Sequence, residues 1–192
     1  ATGWVDITSS TSYSATVSFN LASASSVGNH SRTLYVWFKD SAGNVSASAS
    51  DGITLVVSDT TVPSSPTINI NSGASSTSNT VVGLALSASD DYGVSSYYAS
   101  ETSSTPSSTS SGWTSITSST SYSATVSFTL SSASTTGNHS RTVYVWFKDT
   151  AGNVSDSASD GITYTTVTFV AVGDSGTILT SPDGITWDNM TS

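Results

Sequence analysis

The sequence predicts an all-β protein made of repeated sandwich modules, and three observations carry this prediction. Residues 3–54 match residues 112–163 at a constant offset of 109 positions, and nine of the 52 aligned positions differ. Apolar residues alternate with Ser and Thr at period two, as in strands with one buried face. Turn-forming residues, chiefly Gly, Asp, Asn and Pro, separate these segments. A repeat of this length indicates tandem sandwich domains and is too long for a solenoid.

Composition excludes several classes of partner. The 192 residues include thirteen Asp and Glu but four Lys and Arg, for a net charge of −9. So few basic side chains cannot neutralise nucleic-acid phosphates or an anionic membrane surface. No apolar run is long enough to span a bilayer. The chain has no cysteine, so it has no disulfide framework.

The module is organised around the strand Arg141 to Asp149, which occurs earlier as Arg32 to Asp40. Val143, Val145 and Phe147 fall on one face of this strand, and aromatic residues fall on the other. Apolar bulk on both faces predicts a strand in the middle of a sheet. It leaves through a polar turn in which Asp and Asn can bond their own backbone.

The complete module is predicted to span residues 58–166. It opens with a linker that contains two prolines, which stiffen the chain and lack ladder donors. Apolar alternation then marks six or seven short strands, at 68–70, 82–88, 94–101, near 116, and at 124–130, 141–149 and 162–166. A turn at Asp90 to Gly93 separates the second strand from the third. This pattern indicates an immunoglobulin-like β-sandwich.

The two ends of the chain lack strands that the complete module contains. Residues 1–57 repeat the later strands of the module but have no counterpart of the opening strands. Half a sandwich exposes its inner face to water. The free-energy cost is roughly 25 cal/mol for each Å² of apolar surface that stays exposed. Residues 167–192 differ from both copies and predict two or three short strands, with turns at 174–176 and 182–184.

Several motifs together resemble known families. Residues 59–166 resemble a bacterial immunoglobulin-like repeat of the kind found in tandem in secreted and cell-surface proteins, and residues 1–57 resemble part of one. The resemblance rests on Asp59 to Pro63, Asp90 to Val94, Glu101 with Pro106, Gly112-Trp113, and Tyr144 to Asn153. It implies an extracellular spacer, adhesive or fibre-forming role without catalysis. The segment Phe169 to Gly173 with Ser181 to Trp187 resembles a single β-propeller repeat with an Asp-box-like hairpin, and one blade cannot close a propeller.

We predict no catalytic residues, no enzyme activity and no cofactor other than calcium. The two histidines, His30 and His139, occupy the same slot in the two copies, and the chain has one Glu. No nucleophile, base and orienting group can be assembled from these residues.

Acidic residues converge at one end of the predicted sandwich. Asp59, Asp90, Asp91 and Asp149 lie in the linker and in the turns at that end. Their oxygens are the ligands that Ca²⁺ prefers, and an ion there would stiffen the joint between modules. The alternative is that these residues act only as turn formers.

Two functional hypotheses follow. The first is a structural repeat that serves as a stalk, an adhesin segment or a fibre subunit, with tandem neighbours or other copies as partners. The second is a glycan-binding accessory module, in which Tyr97, Tyr98, Trp113, Tyr144 and Trp146 stack on sugars. Such residues also fill sandwich cores. Exposed aromatic residues in a groove would favour the second hypothesis, whereas buried ones would favour the first.

The mismatched ends suggest an assembly mode. The tail of one subunit is expected to complete the half-module of the next by strand addition, and this heterologous contact propagates into a filament. The predicted interface residues are Val17, Phe19, Leu21, Val170, Val172, Ile178, Leu179 and Trp187. The alternative is that the chain is one segment of a longer tandem array.

Overall fold

The structure is a computed structural model that describes residues 3–174, 177–181 and 185–189. These residues form strands and no helix, so the predicted all-β class is confirmed. The chain divides into two compact units, Ala1–Asp59 and Thr60–Ser192.

Eleven strands are present in the described residues. In chain order they are β1 (Gly28–Val36), β2 (Ala49–Val57), β3 (Ser64–Ile70), β4 (Ser76–Thr77), β5 (Val81–Ser100), β6 (Thr114–Thr129), β7 (Gly137–Asp149), β8 (Ala158–Thr166), β9 (Phe169–Val172), β10 (Ile178–Ser181) and β11 (Asp188–Asn189).

Strand β5 connects the sheet of the second unit. It pairs antiparallel with β6 along most of its length, and its other edge pairs antiparallel first with β3 and then with β7. The pairing with β6 shifts register between Ser89 and Val94, and Gly93 within this bulge has a φ of 113°. The sequence analysis predicted two strands separated by a turn at this point. The structure instead has one twenty-residue strand with an irregularity, because pairing resumes directly after Gly93.

Strand β7 is an interior strand, as its two apolar faces predicted. It lies between β5 and β8, and β4 extends the sheet by pairing parallel with β8. Val143, Val145 and Phe147 on one face are fully buried, and Trp146 on the other face is 1% exposed. The turn after β7 holds Asp149, whose backbone N–H donates to the Asn153 carbonyl.

One hydrophobic core joins the parts of the second unit. Side chains from both halves of the sheet belong to it, and its buried members are Ile70, Val82, Leu84, Leu86, Ala88, Val94, Leu130, Val143, Val145, Phe147, Ile162 and Tyr164. The Ile70 backbone N–H also donates to Asp160 Oδ2 on β8, at 2.8 Å. The β3–β5–β6 part therefore packs its apolar face on the same core as the β7–β8 part.

The first unit repeats most of the second unit's later sequence but forms fewer strands. Strands β1 and β2 pair antiparallel, and their bounds are those of the first nine residues of β7 and of the whole of β8 in the other copy. Residues 5–20 correspond to β6, yet they form no strand. In the second unit β6 pairs with β5, and the first unit contains no equivalent of β5. A strand needs a neighbouring strand to bond its backbone N–H and C=O groups. Residues 5–20 have no such neighbour in the first unit, so they form no strand.

The tail forms a small sheet of its own. Strand β10 pairs antiparallel with β9 and with β11. The predicted two or three short strands are therefore present. Both predicted turns include residues, at 175–176 and 182–184, that lie outside the described residues.

The repeat provides a matched pair of core substitutions. Phe147→Ala removes a side chain that is 0% exposed, and it is expected to lower the free energy of unfolding of the second unit by about 3–5 kcal/mol. Phe38→Ala removes the equivalent side chain, which is 49% exposed in the first unit. It should leave the free energy of unfolding of the second unit unchanged. Urea unfolding followed by circular dichroism measures both. Equal losses for the two variants would contradict the difference in packing.

Candidate functional site

The predicted calcium residues fall into two groups in the structure. One oxygen from each of Asp59, Asp90 and Asp91 lies within 4.8 Å of the others. Asp149 is not a member of this group. Asp59 directly precedes Thr60, and Asp90 and Asp91 lie in the irregular part of β5, before Gly93.

Asp149 has its carboxylate fully engaged in its own turn. Oδ1 accepts hydrogen bonds from the backbone N–H groups of Gly152 (2.6 Å) and Asn153 (2.8 Å), and Oδ2 accepts one from Asn153 Nδ2 (2.7 Å). The first copy repeats the device between Asp40 and Asn44. Hydrogen bonds from the Asn44 side chain and backbone hold the pKa of Asp40 below its usual value. These two residues act as turn formers.

Asp90 is only half engaged. Oδ1 accepts hydrogen bonds from the backbone N–H groups of Tyr92 (2.9 Å) and Gly93 (2.7 Å), which fixes the bulge. Oδ2 is buried and accepts no hydrogen bond, although the residue is 6% exposed. A buried carboxylate oxygen without a partner is costly unless a cation or a proton compensates it.

Among the described residues, no basic side chain is paired with the Asp90 carboxylate. The Lys148 ammonium lies 4.7 Å from the centre of the Trp113 ring and donates to the Ser108 carbonyl. Arg141 pairs with Glu101 at 3.7 Å. The remaining cations, Lys39 and Arg32, contact the Trp4 ring and backbone carbonyls of the first unit. Three adjacent carboxylates, one of which has a buried Asp90 oxygen without a hydrogen bond, fit the oxygen-rich, anionic environment that Ca²⁺ requires.

The histidines have the same local role in both copies. His30 Nε2 is 2.8 Å from the Ser26 carbonyl, and His139 Nε2 is 2.9 Å from the Thr135 carbonyl. Each ring therefore anchors the loop that leads into its strand, either β1 or β7. This arrangement accounts for their repeated position without a catalytic role.

The aromatic residues pack together in the second unit. Tyr98 makes edge contacts with both Trp113 and Trp146, and Trp146 stacks against Tyr144. Trp146 is buried, and the other three are partly buried. Tyr97 stacks against Tyr122, whose pKa is raised by burial and by the neighbouring Tyr97. This is the arrangement of residues that cover a core, and it places no row of exposed rings along a groove.

The first unit exposes the residues that the second unit buries. Val36, Trp37 and Phe38 are 47%, 48% and 49% exposed, whereas their equivalents Val145, Trp146 and Phe147 are at most 1% exposed. Two of the predicted interface residues, Val17 and Phe19, are also exposed, and Leu21 is partly buried. We call Val17, Phe19, Val36, Trp37 and Phe38 the open face, a name that covers both sides of the strand because Trp37 alternates with Val36 and Phe38. Exposed apolar surface of this extent is typical of interaction sites.

The predicted interface residues of the tail are exposed or partly exposed too. In the small sheet Val172 pairs with Ile178, and Val170 pairs with Thr180. Val170, Val172, Ile178 and Trp187 are exposed, and Leu179 is partly buried. Strands β9 and β10, which carry four of these residues, are four residues long each, and Trp187 directly precedes the two-residue strand β11.

Sequence reasoning missed two features of these sites. It did not separate Asp149 from the other carboxylates, although the spacing Asp149 to Asn153 signals a closed turn. It also did not foresee the contact of Lys148 with Trp113. A lysine and a tryptophan 35 positions apart give no periodic signal, so this contact depends on the pairing of strands.

Comparison with models of known protein families finds no match, and comparison with curated protein sequences also finds none. No helix that could cross a membrane occurs in the described part of the chain.

Proposed function

We propose that the chain is a non-enzymatic structural segment of an extracellular bacterial protein, serving as a stalk, an adhesin segment or a fibre subunit. In this proposal the second unit is an immunoglobulin-like sandwich. Its support is the order of pairing, in which β5 passes from β3 and β6 to β7, while β4 pairs parallel with β8.

The observation that carries the proposal is the repeat of one sequence in two states. Two 52-residue stretches that differ at nine positions form part of a closed module in one copy and an open pair of strands in the other. A module whose core positions are exposed requires a strand from elsewhere, which is the property of a protein that works as part of an array. The partial burial of the aromatic cluster favours this role over glycan binding.

The proposal includes calcium at Asp59, Asp90 and Asp91. The ion would hold the bulge of β5, which carries Asp90 and Asp91. A fixed bulge would stiffen the second unit, which a stalk or fibre requires. The unpartnered Asp90 Oδ2 supports the site, and further ligands would be water or backbone carbonyls.

Calcium should raise the melting temperature of the second unit. At a concentration 100 times the Kd, a ligand that binds only the folded state adds about 2.7 kcal/mol of stability. Asp90→Asn is expected to abolish this increase, while its amide oxygen can still accept the Tyr92 and Gly93 hydrogen bonds. Asp156→Asn, at an exposed carboxylate outside the group, should preserve it. Scanning calorimetry in calcium and in EDTA measures the difference, and identical melting curves would remove the ion from the proposal.

The open face should cause concentration-dependent association. Light scattering of the purified chain is expected to show a rising mean mass with concentration, because apolar surface is removed from water on contact. Phe38→Ser should weaken this association. Tyr92→Ser, which removes a side chain that is 48% exposed elsewhere, should not. A chain that stays monomeric at every concentration would contradict a role in assembly.

A further inference from the structure

The second unit shows which partner the open face lacks. Each residue of the open face has an equivalent 109 positions later, and every one of these equivalents pairs with β5. The pairs are Phe128 with Val82, Val126 with Leu84, Val145 with Ala99, Trp146 with Tyr98, and Phe147 with Tyr97. The five open-face side chains are identical to these equivalents. A strand with the sequence of β5 therefore has a defined register on the first unit.

The chain holds one such strand and two sites for it. Strand β5 is fully used in the second unit, where it pairs with β3, β6 and β7. Exchange of β5 between copies fills one site only by emptying another. Such an exchange buries no additional apolar surface, so it cannot cover the open face of every copy.

The linker also prevents β3 and β5 from serving the first unit of their own chain. In the closed module, β8 ends at Thr166, opposite the first residue of β7, Gly137. Strand β3 begins beside the other end of β7, where Asp149 pairs with Val94. The thirteen residues of β7 span about 40 Å. Six linker residues, 58–63, reach about 20 Å when fully extended.

The tail is a poor substitute for β5. Strand β5 has twenty residues and pairs with β6 along most of its length, whereas β9 and β10 have four residues each. Either tail strand would cover one end of the open face and leave the other end exposed to solvent. Both tail strands also use backbone groups to pair with each other.

From these constraints we infer that the first unit is an acceptor for an additional polypeptide segment of the Thr60–Ser111 type, a second β3-to-β5 unit besides the one that completes the second unit. This inference rests on the proposed function, and it names the partner. The added segment pairs Leu84 with Val17 and Tyr97 with Phe38, and it converts residues 5–20 into a strand equivalent to β6. The occupant is recognised by main-chain pairing together with its alternating apolar side chains.

The test adds a synthetic polypeptide with the sequence of residues 60–111 to the full 192-residue chain. Hydrogen exchange read by mass spectrometry is expected to show 1:1 binding, with exchange at residues 5–20 slowed on the order of tenfold or more. A polypeptide with Leu84→Asp and Leu86→Asp should give no protection. A chain carrying Phe19→Asp should bind weakly, while calorimetry shows its second unit unchanged.

Two results would overturn the inference. The first is that the intact polypeptide leaves exchange at residues 5–20 unaltered. The second is that these residues are protected without it, in a way that rises with chain concentration and is lost when residues 167–192 are deleted, since the tail would then be the occupant. Either result is compatible with self-association of the chain, so the proposed function is judged separately by light scattering.

Discussion

The structure depends on the pairing of one strand, β5. It pairs with β6 along most of its length and with β3 and then β7 along its other edge, and its buried side chains belong to the core. Where β5 is present, residues 114–129 are a strand and Phe147 is buried. Where it is absent, residues 5–20, which match 114–129 at all but three positions, form no strand and Phe38 is half exposed. Local preference is similar in the two copies, so the difference comes mainly from the missing partner.

Several polar side chains shape turns and loops by bonding to the backbone. The Asp149 carboxylate accepts three hydrogen bonds, and Asp40 accepts two in the equivalent turn of the other copy. Both histidines bond backbone carbonyls in equivalent loops. Asp90 differs, because a buried oxygen of its carboxylate has no hydrogen-bond partner and two other carboxylates lie beside it. A candidate ion site therefore differs from a turn in its unpartnered carboxylate oxygen, not in the number of acidic residues.

The proposed array accounts for two units that differ in their strand pairing. In that proposal the closed module is a self-contained element, and the open module is completed by strand addition. These two properties suit a spacer or a fibre, and neither requires a pocket or a catalytic group. The scarcity of basic residues keeps the surface anionic, which favours solubility in a protein with few other charges.

The sequence by itself determined the all-β class, the two copies and the interior position of β7, because period-two alternation and an internal repeat are local signals. The central positions Val143, Val145 and Phe147 were also readable from alternation alone. Only the tertiary structure decided that Asp90 to Gly93 is a bulge within one strand and that Asp149 stands apart from the other carboxylates. It also decided that Val145, Trp146 and Phe147 are buried, whereas the identical residues at 36–38 are about half exposed. Burial and strand pairing depend on which distant segment packs against a residue. The local sequence around that residue does not contain this information.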